Sequence, residues 1–213
     1  MRKAIIVWGG CAGHEPEQCA QIIGDRLARE GFAVEVTNDF DIFAAPALAD
    51  AALLVPIITG ETLPDGHANH LMQMVREGLG LGGFHACLTT SFKDSGAFHY
   101  LTGVSWVSLP GDIIDYRVQI TRPDDPLVAG ISDFEYRSEQ YYLHYDPSID
   151  ILASTRFSGA HDPVTTDVVM PVAFKRRFGQ GRIFYSALGH VASELAHPQA
   201  AEMLRRGLNW VAR

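Results

Sequence analysis

The chain has 213 residues, 47% of them hydrophobic and 20% charged, a balance that supports a folded core and excludes a disordered chain. Its formal charge of −8, with no basic run, argues against non-specific binding to nucleic acid or to an anionic membrane surface. The three cysteines, Cys11, Cys19 and Cys87, show no CxxC spacing and point to free thiols in a reducing compartment. The opening apolar run stops at Gly9-Gly10, too short for a secretory signal, and no stretch approaches the roughly 18 apolar residues that span a bilayer, so a cytoplasmic location is expected.

Residues 3–8 form a short apolar run ended by glycines, the pattern of a strand buried on both faces. Residues 15–30 place Cys19, Ile22, Ile23 and Leu27 at helical spacing; Glu15-Pro16-Glu17 suits the helix start and Gly31 its end. A strand is expected over 32–37, an apolar strand over 51–58, a second helix over 67–79 and a further strand over 80–86. This β-α-β-α-β order implies a doubly wound parallel sheet, because parallel neighbours need crossover helices on both faces. Ligands of such sheets bind beyond the carboxyl ends of the strands, which here are the loops 9–14, 59–65 and 85–92. The second half is strand-like at 116–121, 134–143, 149–155, 170–175 and 182–186, with few helix signals between them. A last helix over 198–211 carries Ala201, Leu204, Leu208 and Val211 on one face. No linker, repeat or low-complexity stretch divides the chain, so a single α/β domain over 1–213 with β-rich C-terminal additions is expected.

Gly78-x-Gly80-x-x-Gly83 matches GxGxxG, but its glycines precede a strand instead of opening a helix, so no nucleotide cofactor is expected. After the first strand, Gly9, Gly10 and Gly13 allow a backbone to approach a ligand closely or simply make a tight turn. His14 stands at that mouth. His85 ends the strand 80–86; a core histidine satisfied by a carbonyl is its alternative reading. Residues 138–146 gather Glu139, Tyr141, Tyr142, His144 and Tyr145, a set suited to a sugar or another polar small molecule but also ordinary in a sheet. Glu139 and His144 lie five apart and face opposite sides of a regular strand. Both serve one site only if a bulge or strand end intervenes, and Glu139 is the favoured member. His190 follows the strand 182–186, with Glu194 and His197 as its partners or as a helix start. His67 and His70, three apart, read as a solvated pair, and His99 and His161 have no supporting context. Three histidines and a carboxylate, His14, His85, His190 and Glu139, suit zinc or a similar divalent ion with a position open to water. Without metal the same groups serve as general acid, base and hydrogen-bond donors.

The segments WGGCAGHEPEQCA, GLGGFHACL, SEQYYLHYDP and PVAFKRRFGQGRIFYSALGH resemble the trehalose-utilisation (ThuA-like) family, in order and along essentially the whole chain. The resemblance implies a flavodoxin-like, mainly parallel sheet with added strands, of the class I glutamine amidotransferase-like superfamily. It also implies use of trehalose and related disaccharides through 3-keto-sugar intermediates, with metal binding in some members. The family's recurring histidines fall on His14, His85 and His190, and its glutamate on Glu139. Amidotransferases carry a nucleophilic cysteine where His85 stands and an activating histidine resembled by His190; Cys87 lies two residues too late, so glutaminase activity is not expected. His85-Ala86-Cys87 departs from the HGG of many relatives, which bears on how closely a ligand approaches the backbone there. The expected protein acts on a disaccharide or keto-sugar as a metal-assisted hydrolase or isomerase. In that reading His85, His190 and Glu139 are catalytic, and Gly10, Tyr141, Tyr142 and His144 contact the sugar. His14, His85, His190 and Glu139 hold a divalent metal such as zinc. The alternative is a non-catalytic sugar-binding or regulatory protein on the same scaffold. A homo-oligomer is expected.

Overall fold

In the computed structural model, which describes residues 1–213, the first half alternates strand and helix as its periodicity requires. It runs β1 (Arg2–Gly10), α1 (Pro16–Arg29), β2 (Phe32–Thr37), β3 (Leu53–Thr59), α2 (Asp65–Arg76) and β4 (Gly80–Phe84). Then follow α3 (Gly96–Thr102), β5 (Val104–Ser108), β6 (Ile113–Ile120), β7 (Phe134–Glu139), β8 (Tyr142–Tyr145), β9 (Asp150–Arg156), β10 (Val169–Phe178), β11 (Gly181–Ser186) and α4 (Pro198–Val211).

Nine strands form one sheet in the order β2-β1-β3-β4-β11-β10-β9-β6-β7, and β5 pairs with β8 in a second, two-stranded sheet. The first five strands are parallel neighbours, a doubly wound core in which β11 takes the fifth place; the last four extend it antiparallel. Successive residues of β1 enter opposite cores. Ala4 and Ile6 pack with Ile23 and Leu27 of α1 and Leu204 and Leu208 of α4 on one face. Ile5 and Val7 pack with Leu71 and Val75 of α2 and Phe98 and Leu101 of α3 on the other. Each such fully buried aliphatic side chain contributes about 1.5–3 kcal/mol, so the apolar runs alone account for the central strands.

The glycines of β4 serve packing. A Cβ on Gly80 would lie 2.3 Å from the Val211 carbonyl oxygen, and one on Gly82 would lie 2.3 Å from Leu208. Their absence lets α4 sit directly on the strand.

Three sequence expectations are corrected. The run 134–143 is two strands in different sheets, broken at Gln140 and Tyr141, because the Gln140 amide donates to Thr155 Oγ1 at 2.7 Å and to the Arg156 carbonyl at 3.4 Å. The strand expected over 80–86 ends at Phe84, and His85–Leu88 form a 3-10 turn. Residues 96–102, for which no element was expected, form α3, which starts on a Ser95 side-chain cap and stops at Gly103 with φ +77°. No helix is long and apolar enough to cross a membrane.

Candidate functional site

Four loops or strand ends converge at one end of the sheet. β1 and β3 run there side by side, with Gly10 opposite Thr59. Gly10 has φ +84°, and a Cβ on it would lie 2.0 Å from the Thr59 carbonyl oxygen, so only glycine fits the exit of β1. A 3-10 turn, Ala12–His14, then carries His14, and Glu15 with φ +48° leads into α1 at Pro16.

His85 sits on a sharper device. Its φ of +46° is left-handed for a residue with a Cβ, a conformation that costs on the order of 1–2 kcal/mol. Two bonds to its carbonyl hold it there: the Tyr185 hydroxyl donates at 2.8 Å and the Thr89 hydroxyl at 3.1 Å. The His85 ring is 2% exposed. Its Nδ1 lies 3.3 Å from the Ala187 carbonyl. A carbonyl only accepts, so that bond puts the proton on Nδ1 and turns the lone pair of Nε2 into the site.

Around that nitrogen the other groups gather. The Tyr141 hydroxyl is 2.7 Å from His85 Nε2, and Glu139 Oε2 is 3.2 Å from it. Glu139 Oε1 is 3.8 Å from His190 Nε2. The imidazole rings of His14, His85 and His190 have centroids 4.8 to 5.3 Å apart. One donor atom from each of His14, His85, Glu139 and His190 lies within 4.8 Å of the others. Glu139 ends β7, and Tyr141, two residues on and so on the same side of the chain, reaches the cluster with it.

The electrostatics follow from crowding. Burial and the charges of His85 and His190 push His14 down to about 4, against a weaker pull from Glu139. Burial and His85 lower His190 as well, opposed by Glu139, Glu194 and Glu15. Burial alone would raise the Glu139 carboxyl, but the close His85 and His190 imidazoles and the Tyr141 hydroxyl hold it at about 2. Near neutral pH, His14 and His190 are therefore free bases and Glu139 is an anion. Burial lifts Tyr141 well above its ordinary value, so its hydroxyl stays a donor.

This arrangement fits a divalent cation. One donor atom of each of the three imidazoles and the carboxylate is close enough to share a single ion. The lone pair of His85 Nε2 faces a carboxylate oxygen, a contact that is favourable only with a proton or metal ion between them. Three imidazoles and one carboxylate are the donor chemistry of zinc.

The remaining sequence candidates lie elsewhere. His144 is exposed on β8, opposite Ser105, outside the cluster. Tyr142 packs against Phe157, with ring centroids 5.9 Å apart. Gly10 shapes the mouth through its backbone. His70 Nδ1 lies 2.9 Å from the Phe43 carbonyl, and neither it nor His67 joins a donor cluster. Cys87 is 3% exposed and burial pushes its thiol up to about 12, so a thiolate is not available near neutral pH. Sequence reasoning treated Tyr141 only as a pocket wall and Glu15 only as an acidic helix start. The signal for both was adjacency, since each lies one or two residues from a candidate ligand.

A family model described as ThuA, trehalose utilisation, matches residues 3–211. The chain belongs to the ThuA family. Within ThuA-like folds, a protein from Bacteroides uniformis superposes with a TM-score of 0.78 at 16% identity, covering 99% of this chain and 91% of that one. A second, from Parabacteroides merdae, gives 0.77 at 18% identity, covering 99% and 89%. A protein of Salmonella typhimurium described as cytoplasmic gives 0.61 at 12% identity, covering both chains fully. These likenesses establish the ThuA fold, an α/β sheet of flavodoxin-like type. No curated protein matches the chain.

Proposed function

We propose that this ThuA protein is a cytoplasmic enzyme of carbohydrate catabolism that acts on a disaccharide or keto-sugar at the His14, His85, Glu139 and His190 cluster, as a homo-oligomer. The observation that carries this reading is the convergence of those four donor atoms within 4.8 Å. The same four residues would hold a divalent ion such as zinc. Bound there, it would polarise a sugar carbonyl or hydroxyl and lower the pKa of a bound water.

The chain's own groups divide the remaining work. With the three histidines alone holding the ion, Glu139, an anion beside them, would be the base that removes a proton from the carbon beside a keto group, or from water. The Tyr141 hydroxyl, protonated and next to His85, donates a hydrogen bond to oxygen on which negative charge develops. His85 is fixed by the Ala187 carbonyl, so its Nε2 presents a lone pair in one direction only. His190, uncharged near neutral pH, faces Glu139 from the other side.

Elemental analysis of purified protein, together with turnover assays on 3-keto-glycosides, tests the reading. Stoichiometric metal that is lost in His85→Ala and His190→Ala, with turnover lost alongside, is the expected result. Protein that takes up no zinc and turns over no such sugar with or without it would refute the proposal.

A further inference from the structure

Three of the four cluster residues sit on segments that no sheet hydrogen bonds join to one another: the turn after β1, the end of β7 and the loop after β11. The last of these carries His190. It leaves the sheet through Gly189 at φ +102°, and the His190 ring has no partner at Nδ1. Two carboxylates outside the cluster meet this loop. Glu194 Oε2 accepts from the His190 backbone N–H at 2.9 Å, from the Ser138 hydroxyl at 2.8 Å and from the Tyr136 hydroxyl at 3.1 Å. Glu15 Oε2 accepts from the Ala192 N–H at 3.0 Å.

We infer that Glu15 and Glu194 form a clamp that sets the His190 loop at its working distance from His14 and Glu139. Glu194 ties the loop to β7 at the residue directly before Glu139, and Glu15 ties it to the residue directly after His14. A carboxylate that only fastened the chain entering the short turn at Ala192–Ala196 would need the His190 N–H and nothing more. Glu194 also gathers two hydroxyls from β7, on Ser138 and Tyr136, which are 0% and 4% exposed. Buried donors converging on one carboxylate oxygen leave the group little freedom to move. The clamp therefore acts through His190 and Glu139; Glu15 and Glu194 are positioning residues and touch no ligand themselves.

The inference rests on the reading that the cluster binds a divalent ion, and two measurements separate the two claims. The first is zinc affinity of the metal-free protein, by chelator competition, for wild type, Glu194→Gln, Glu15→Gln and the double variant Tyr136→Phe/Ser138→Ala. The double variant leaves the bond from His190 N–H to Glu194 intact and cuts only the link to β7. Each variant is expected to lose 10- to 100-fold in affinity, the range typical of groups that orient metal ligands. The second is amide hydrogen exchange of His190 and Ala192 without metal, expected to accelerate in Glu194→Gln and Glu15→Gln respectively. Unchanged zinc affinity in the double variant would reduce Glu194 to a turn cap and overturn the clamp. Wild-type protein that ignores zinc would sink the metal reading; the clamp would then fall or stand on whether the two amides lose protection.

Discussion

The histidine cluster carries a pH signature that a single substitution should remove. In the folded chain His14 resists protonation down to about 4, whereas an unfolded histidine takes up its proton near 6.5. Its folded value is depressed, so the associated stability is fully present above pH 6.5 and is lost as the pH falls through 6.5 toward 4. Over that window the unfolded state binds one more proton, and stability falls by about 1.36 kcal/mol per pH unit. The window of about 2.5 units gives ~3.4 kcal/mol, and partial solvent access to the ring brings a realistic figure to about 2–3 kcal/mol. That is a large share of the ~5–15 kcal/mol that holds a typical domain together. Urea titrations of metal-free wild type and His14→Gln, in EDTA at pH 7.5, 5.5 and 4.5, measure it directly. The wild type should lose about 2 kcal/mol more than the variant between the extremes. Parallel stability curves for the two proteins would show that His14 is not held uncharged by its neighbours, and the electrostatic account of the cluster would fail with them.

Other expectations follow from single contacts. Gly80→Ala drives a methyl group into the Val211 and Ala52 carbonyls and should cost about 1–3 kcal/mol, while Gly66→Ala in α2, with nothing within 4 Å, should gain about 0.5 kcal/mol; thermal melts of the pair decide it. Tyr141→Phe removes the hydroxyl beside His85 Nε2 and should cost about 1 kcal/mol in stability while lowering keto-sugar turnover at least ~10-fold, with KM largely unchanged. Asp125→Asn strands the largely buried Lys175 ammonium and should cost about 2 kcal/mol in urea denaturation, less than the ~3–5 of a fully buried pair.

The fold was legible wherever one physical signal dominated. The apolar runs of β1 and β3 and the helical spacing of α1 and α4 reported burial directly, and the elements formed there within a few residues of expectation. The second half was harder because its elements are short and take their form from side-chain bonds at a distance. The alternation of 134–143 gave no sign that Gln140 would bond across to Thr155 and split the run. The seven-residue α3 was signalled only by Ser95 and Gly103 at its ends. The site was legible through topology, since His14, His85 and His190 each follow a parallel strand and were bound to meet at one edge. The parity of Glu139 and His144 allowed both in one site only across a bulge or strand end; a strand end does separate them, yet only Glu139 joins the cluster. Glu194 was named beside His190 as a partner or a helix start, whereas Glu15 was read only as a helix start because its partner is a backbone N–H, which carries no sequence signature.

The features around the cluster share one thermodynamic direction. His85 and Glu15 hold left-handed backbone, two imidazole nitrogens are buried without partners, and the rings suppress one another's charge. Each of these destabilises the metal-free chain, and they are concentrated within a few ångströms. Strain of this kind persists only where the surroundings over-determine it, and here Tyr185 and Thr89 on the His85 carbonyl and the carboxylates on the His190 loop do so. A cation bound only by the folded state would reverse the sign, adding stability that grows with its concentration relative to Kd. It would neutralise the contact between Glu139 and His85. The left-handed bend at His85 aims its ring at Glu139. It holds a lone pair in a fixed direction against a carboxylate, an arrangement that protein groups alone leave incomplete.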